Sequence, residues 1–290
     1  MNVAAWWTAA VLATARVVYP QLLEWRHSRW FPRGPDGVVA GAESIDLPRA
    51  GSPAVLVLHG GGDTPQSVRS LAEYLHARGF AVRAPLLENH GRSLELFADC
   101  SAELWRTQAR AEYEKLRAEH DWVAVVGQSV GGALALDLAA AHPEMKALVL
   151  LAPWVAVKDL ILLVARTSRI WEVLFPYLPS LGGHSIQDPA EQARALTHGI
   201  VTPAELRALA AIAHVAHEAL PHVKAPTLTI QSREDGRISR EDAERAFDRL
   251  GAKDKKFEWT SGAGHVISVD YGKERVFALV GEWLDAHLPP

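Results

Sequence analysis

The stretch VVGQSVGG, residues 125–132, decides how the chain is read. Gly127-Gln128-Ser129-Val130-Gly131 fits G-x-S-x-G, in which a serine sits on a sharp turn between a strand and a helix. The pattern alone is weak: at average Gly and Ser usage it recurs by chance in roughly one chain in ten of this length. Its flanks give it weight. WVAVV at 122–126 reads as a buried strand, and VGGALALDLAAAH at 130–142 reads as a helix. Small residues around Ser129 admit a strained backbone, and the helix N-terminus directs partial positive charge at the serine oxygen. With both flanks present, Ser129 as an ordinary helix N-cap becomes the weaker reading.

Outward from this stretch the same alternation continues. AVLVL at 54–58 reads as a strand, QSVRSLAEYLHARG as a helix ending at Gly79, and FAVRAP at 80–85 as a strand; VVAGAESIDLP, after the PRGPDG linker at 32–37, also has strand character. Residues 102–119 read as a helix and KALVLLA at 146–152 as another buried strand. Continuous apolar strands separated by helices predict an α/β fold with a mainly parallel central sheet flanked by helices. Between 153 and 224 the alternation breaks into helical stretches without a convincing strand, then resumes with APTLTIQ at 225–231, a helix at 239–250, KKFEWT at 255–260 and a last helix near 273–287. The expected organisation is an N-terminal extension at 1–37, a core at 38–152 and 225–290, and a small helical cap at 153–224.

A serine hydroxyl needs a base to take its proton, and the base needs an acid to orient it. In the order Ser, acid, His, Asp235 follows the TLTIQ strand in SREDG, and His265 follows KFEWT in SGAGHV. Glu234 is the competing acid but is less well placed past the strand end, and Asp270 reads as a cap for the last helix. His59 and His90 read as loop-shaping residues. An acyl-transfer site also needs N–H donors for an oxyanion. Val130 supplies one, and Gly61 in LHGGGD, 58–63, the other, with Gly62 next in line. The same glycines lack the Lys-Ser/Thr continuation of a phosphate loop.

Composition narrows the function classes. A net charge of -4 without a long basic run argues against nucleic-acid binding. The single cysteine, Cys100, excludes an intrachain disulfide and a cysteine-built metal site, and pairs such as His214/His217 lack a clustered third ligand. Residues 3–23 are mostly apolar, but Arg16 and Pro20 make them a borderline membrane span. Trp6, Trp7, Trp25 and Trp30, with Arg26, Arg29 and Arg33, suit an interface with the rest of the chain on the cytoplasmic side. The segment therefore reads as an extra helix packed on the protein or on a second subunit, or as a peripheral membrane contact. A secretory signal fits less well, because no Lys or Arg precedes the apolar run.

With LHGGG, GQSVG, SRED and GAGH in this order, the chain resembles the α/β-hydrolase superfamily over about residues 38–290. APLLENHGRS, GQSVGGALAL and SGAGHVISVD look like bacterial carboxylesterases related to monoacylglycerol lipases. The resemblance implies a triad of Ser129, Asp235 and His265, a helical cap, small-molecule ester substrates and no cofactor. Leu160, Leu162, Leu163, Trp171, Leu174 and Phe175 of the cap are candidate acyl-pocket residues. Two departures stand out: the LHGGG run resembles hormone-sensitive-lipase-like esterases, yet Gln128 stands where those carry an acid, and residues 1–37 have no counterpart in either pattern.

Overall fold

Strand residues alternate between two faces, and here both faces are covered. The computed structural model describes residues 3–173, 175–180 and 185–289. After helix α1 (Val3–Trp30) come β1 (Ile45–Leu47), β2 (Ala54–Leu58), α2 (Arg69–Ala77), β3 (Ala81–Ala84), α3 (Leu94–Phe97), α4 (Ala102–Glu119), β4 (Val123–Gln128), α5 (Val130–Ala141) and β5 (Ala147–Leu151). The inserted segment holds α6 (Asp159–Trp171), β6 (Leu178–Pro179), α7 (Pro189–Arg194), β7 (Ile200–Val201) and α8 (Pro203–Ala219). The core closes with β8 (Thr227–Ser232), α9 (Arg240–Arg249), β9 (Lys255–Thr260) and α10 (Lys273–Ala286).

Seven strands form one sheet in the order β1-β3-β2-β4-β5-β8-β9, parallel except for β1. Leu56, Leu58, Val123 and Val125 face the layer built by α4, α5 and α8, while Val55, Val57, Ala124 and Val126 face the layer of α2 and α10. Burial on both faces explains why these strands read as unbroken apolar runs. The chain winds from β2 outward to β3 and then crosses back to β4, so the winding reverses between the carboxyl ends of β2 and β4. Ligands of open α/β sheets bind at such a reversal.

The structure corrects several expectations. Of VVAGAESIDLP only Ile45–Leu47 enters the sheet, and Val39 forms an isolated bridge with Arg33. The inserted segment is not purely helical: β6 and β7 pair as an antiparallel ribbon, too short to leave an alternating pattern. Among the described residues, none of the candidate acyl-pocket side chains lines the cavity over Ser129. The buried positions of α6 are Ala165 and Ser168, and the candidates Leu160, Leu163 and, beyond the helix, Phe175 are 71%, 60% and 54% exposed. Leu174 lies outside the described residues.

Helix α1 continues through Pro20, and its end is tied to the body. Glu24 accepts the Leu94 N–H at 2.8 Å and pairs with Arg33 at 2.5 Å, and His27 meets His198 of the inserted segment at 3.1 Å. Trp6, Trp7, Trp25 and Trp30 are all exposed. Among the described residues no helix is long and apolar enough to cross a membrane, so the borderline span over residues 3–23 does not hold.

Candidate active site

The turn carrying Ser129 is closed by backbone contacts that only glycine permits. A Cβ on Gly127 would stand 2.2 Å from the Gly131 carbonyl oxygen, and one on Gly131 would stand 2.1 Å from that of Leu58. Between them Ser129 takes φ 54° and ψ -115°, a conformation costly for a residue with a side chain. Its N–H donates to the Leu151 carbonyl and its own carbonyl accepts from Trp154, both at 2.9 Å, so neighbouring backbone holds the strain in place. Ser129 occupies the N-cap position of α5, but its hydroxyl makes no capping bond.

That hydroxyl lies 2.7 Å from His265 Nε2, and His265 Nδ1 lies 2.7 Å from Asp235 Oδ2. The structure thus joins three residues separated in sequence by 106 and 30 positions. Asp235 is saturated: Oδ1 accepts the Arg237 and Ile238 N–H groups at 2.7 and 3.1 Å, and Oδ2 also accepts Gln231 Nε2 at 2.6 Å. Burial pushes its carboxyl up, but hydrogen bonding to His265, the imidazole charge and the two N–H groups outweigh this and hold it below its ordinary value. Glu234 faces elsewhere, accepting the Gly262 N–H at 3.0 Å.

The loop after β2 stands against the same turn. A Cβ on Gly61 would lie 2.8 Å from Val130 Cγ2, so the two residues expected to supply oxyanion donors pack against each other. Val130 opens α5, so its N–H belongs to the first turn, where no intrahelical acceptor exists. Gly62 is engaged differently, donating its N–H to His90 Nε2 at 3.1 Å. His59 accepts the Leu87 N–H on Nε2 at 3.0 Å and donates from Nδ1 to the Gly60 carbonyl at 2.8 Å. Each imidazole accepts a backbone N–H and therefore fits only as the neutral form. Burial correspondingly drives His59 well below the usual histidine range and His90 down to about 4.

Asp270 is a correction. Rather than capping α10, whose N-cap is Gly272, it is buried and accepts four N–H groups: Gln187 at 2.7 Å, Asp188 at 2.9 Å, Gly264 at 2.6 Å and Tyr271 at 2.9 Å. It pins the inserted segment to the loop of His265, whose own N–H donates to the Ser185 carbonyl at 2.8 Å. Other contributors also escaped sequence reasoning. Gln128 Nε2 donates to the His265 carbonyl at 3.0 Å, and the Trp154 ring meets His265 edge-on at 6.2 Å. Their only sequence signal is adjacency to a motif or strand end. Glu205 stands three residues after Thr202, the spacing of an ordinary capping box, which carries no signal of a place in the cavity.

A cavity of about 520 Å³ opens over Ser129 and His265. Its walls combine Trp154, Ile186, Ile200, Val201 and Leu209 with Asp63, Gln192, Glu205 and Arg237. Burial pushes Asp63 up to about 6 and Glu205 up to about 8.

The wound sheet and the site at its reversal define an α/β hydrolase. A family profile, Hydrolase_4, described as serine aminopeptidase, S33, matches residues 51–271, and the chain belongs to that family. The match begins beyond the N-terminal extension. The chain is similar to a carboxylesterase of Bacillus subtilis (strain 168), with 26% identity over 82% of this chain and 94% of the relative. It is also similar to a thermostable monoacylglycerol lipase of Bacillus sp. (strain H-257), with 28% identity over 86% of this chain and 97% of the relative. A solved structure from work on the metagenome-derived lipolytic enzymes LipS and LipT superposes with a TM-score of 0.78 at 27% identity, covering 86% of this chain and all of that one. The protein is an enzyme, an esterase- and monoacylglycerol-lipase-like α/β hydrolase.

Proposed function

We propose that the protein is a serine carboxylesterase that hydrolyses esters of short to medium acyl chains through an acyl-enzyme intermediate. The observation that carries this reading is the unbroken hydrogen-bonded path from Ser129 through His265 to Asp235 at the floor of the cavity. His265 takes the Ser129 proton as Oγ attacks the ester carbonyl, and the Gly61 and Val130 N–H groups stabilise the oxyanion. Asp235 keeps the Nδ1–H tautomer and balances the imidazolium. The imidazolium then protonates the departing alcohol, and water repeats the sequence to release the acid. The cavity volume falls within the range of small-molecule sites, and its apolar wall suits a modest acyl chain.

The test is a series of 4-nitrophenyl esters of rising acyl length, run with wild type and Ser129→Ala. The expected result is a rate maximum at short to medium chains and loss of turnover in the variant by a factor on the order of 10⁴ or more. Equal turnover by the variant, or none by wild type on any ester, overturns the reading.

We also infer that residues 153–224 act as a cap over this site and that α1 is a peripheral contact on the cytoplasmic side. Exposed tryptophans beside Arg16, Arg26 and Arg29 suit an anionic lipid surface. Sedimentation with anionic vesicles, compared with a chain lacking residues 1–23, tests the contact. Equal partitioning of both chains refutes it, and self-association through α1 appears instead as a larger mass by light scattering.

A further inference from the structure

Glu205 is one of the polar groups of the cavity that the catalytic cycle leaves unused. It sits in the first turn of α8, where its N–H donates to Thr202 Oγ at 3.0 Å, and the residue is only 5% exposed. Its Oε2 is buried and has no hydrogen-bond partner among the described residues, and its Oε1 lies 3.2 Å from where a Gly62 Cβ would stand. The side chain therefore borders the oxyanion loop and the cavity shared by Ser129 and His265. A buried polar atom without a partner is uncommon, and in a ligand cavity it marks where a ligand atom belongs.

We propose that Glu205 is a specificity-determining residue whose carboxyl hydrogen-bonds a hydroxyl of the substrate, so that the enzyme favours hydroxylated esters over alkyl esters of the same size. This rests on the carboxylesterase reading above. Burial pushes the carboxyl up to about 8, against the pull of the Thr202 backbone and the Arg237 charge, so near pH 7 it keeps its proton. A protonated carboxyl offers both a donor and an acceptor, and a hydroxyl answers both. An ammonium group is disfavoured, because the carboxyl is neutral and the Arg237 guanidinium, held on Ser185 Oγ at 3.0 Å, lines the same cavity.

The test compares kcat/KM for propyl butyrate with two hydroxylated partners: 1-monobutyrin, with hydroxyls in the alcohol half, and propyl 3-hydroxybutyrate, with one in the acyl half. Wild type, Glu205→Met and Glu205→Gln are assayed at pH 7. The expected result is that the methionine variant loses about tenfold or more on one hydroxylated ester and little on propyl butyrate, while glutamine, which keeps a donor and an acceptor, stays within about threefold of wild type. The arm that loses rate identifies which half carries the hydroxyl. Equal losses on all three esters, or no loss on either hydroxylated ester, overturns the proposal in favour of a capping role. Loss confined to an added aminoacyl ester overturns it in favour of an ammonium. If the methionine variant does not fold, Glu205→Leu takes its place and the glutamine comparison still decides. Failure of the carboxylesterase reading registers separately, as unchanged propyl butyrate hydrolysis in Ser129→Ala.

Discussion

Replacing Asp270 by alanine removes one carboxylate and deprives four backbone N–H groups of their acceptor. The four do not count equally. Gln187 and Tyr271 are exposed and turn to water, Asp188 is half-buried, and Gly264 is buried and stays unpaired. Hydrogen bonds to a charged group contribute roughly 1.5–3 kcal/mol each, so losing those of Gly264 and Asp188 costs about 3–6 kcal/mol. Asp270→Asn keeps one acceptor oxygen and turns its NH₂ toward donors, so about half that loss is expected. A residue that only caps a helix costs about 1 kcal/mol on truncation. Urea unfolding followed by the fluorescence of the ten tryptophans measures the difference. Because Gly264 precedes His265, kcat should fall about tenfold in Asp270→Ala, with KM changing less. A loss near 1 kcal/mol with unchanged kcat would refute the view that Asp270 ties the inserted segment to the histidine loop.

Three further outcomes are expected. Glu205→Gln should leave stability unchanged near pH 4.5 and raise it progressively toward pH 8, by up to about 3 kcal/mol at pH 7. The unfolded carboxyl ionises from about 4.5 while the folded one holds its proton to about 8, so wild-type stability falls across that window. Thermal unfolding as a function of pH reads this, and a variant curve parallel to wild type contradicts it. His90 ionises in the unfolded chain near 6.5 but in the folded protein only near 4, so stability falls as pH drops through that window. His90→Phe should show a shallower decline and, with Gly62 N–H unpaired, about a tenfold lower kcat; a decline as steep as wild type excludes the assignment. Gly131→Ala places a methyl group 2.1 Å from the Leu58 carbonyl and should yield insoluble chain or lose more than about 3 kcal/mol, whereas a normal melting temperature contradicts the close crossing of β2 and α5.

Much of this architecture is local, and local patterns are what a sequence displays. The runs 54–58, 122–126, 146–152 and 225–231 read as buried strands because a parallel sheet covered on both faces needs no polar alternation. The placement of Ser129, Asp235 and His265 at strand ends followed from chain order and motif. Residues at 153–224 were harder. There Leu160 and Leu163 look like pocket residues by composition, but α6 buries Ala165 and Ser168 and leaves these two leucines exposed. Two-residue strands such as β6 and β7 are below the length at which a period of two is detectable.

Composition, periodicity and the GQSVG context were therefore enough for an α/β chain with Ser129 on a turn between a strand and a helix. Only the tertiary structure decided what each acid meets. Asp235, Glu234, Asp270 and Glu205 are alike as carboxylates in sequence, and their neighbours along the chain say little about them. Folding gives one a histidine and two N–H groups, one a distant glycine N–H, one four backbone donors, and one a nearly dry wall with an oxygen that no described residue partners. The charge state and role of a carboxyl depend on the water and dipoles within a few ångströms, and that environment is assembled from segments far apart in sequence.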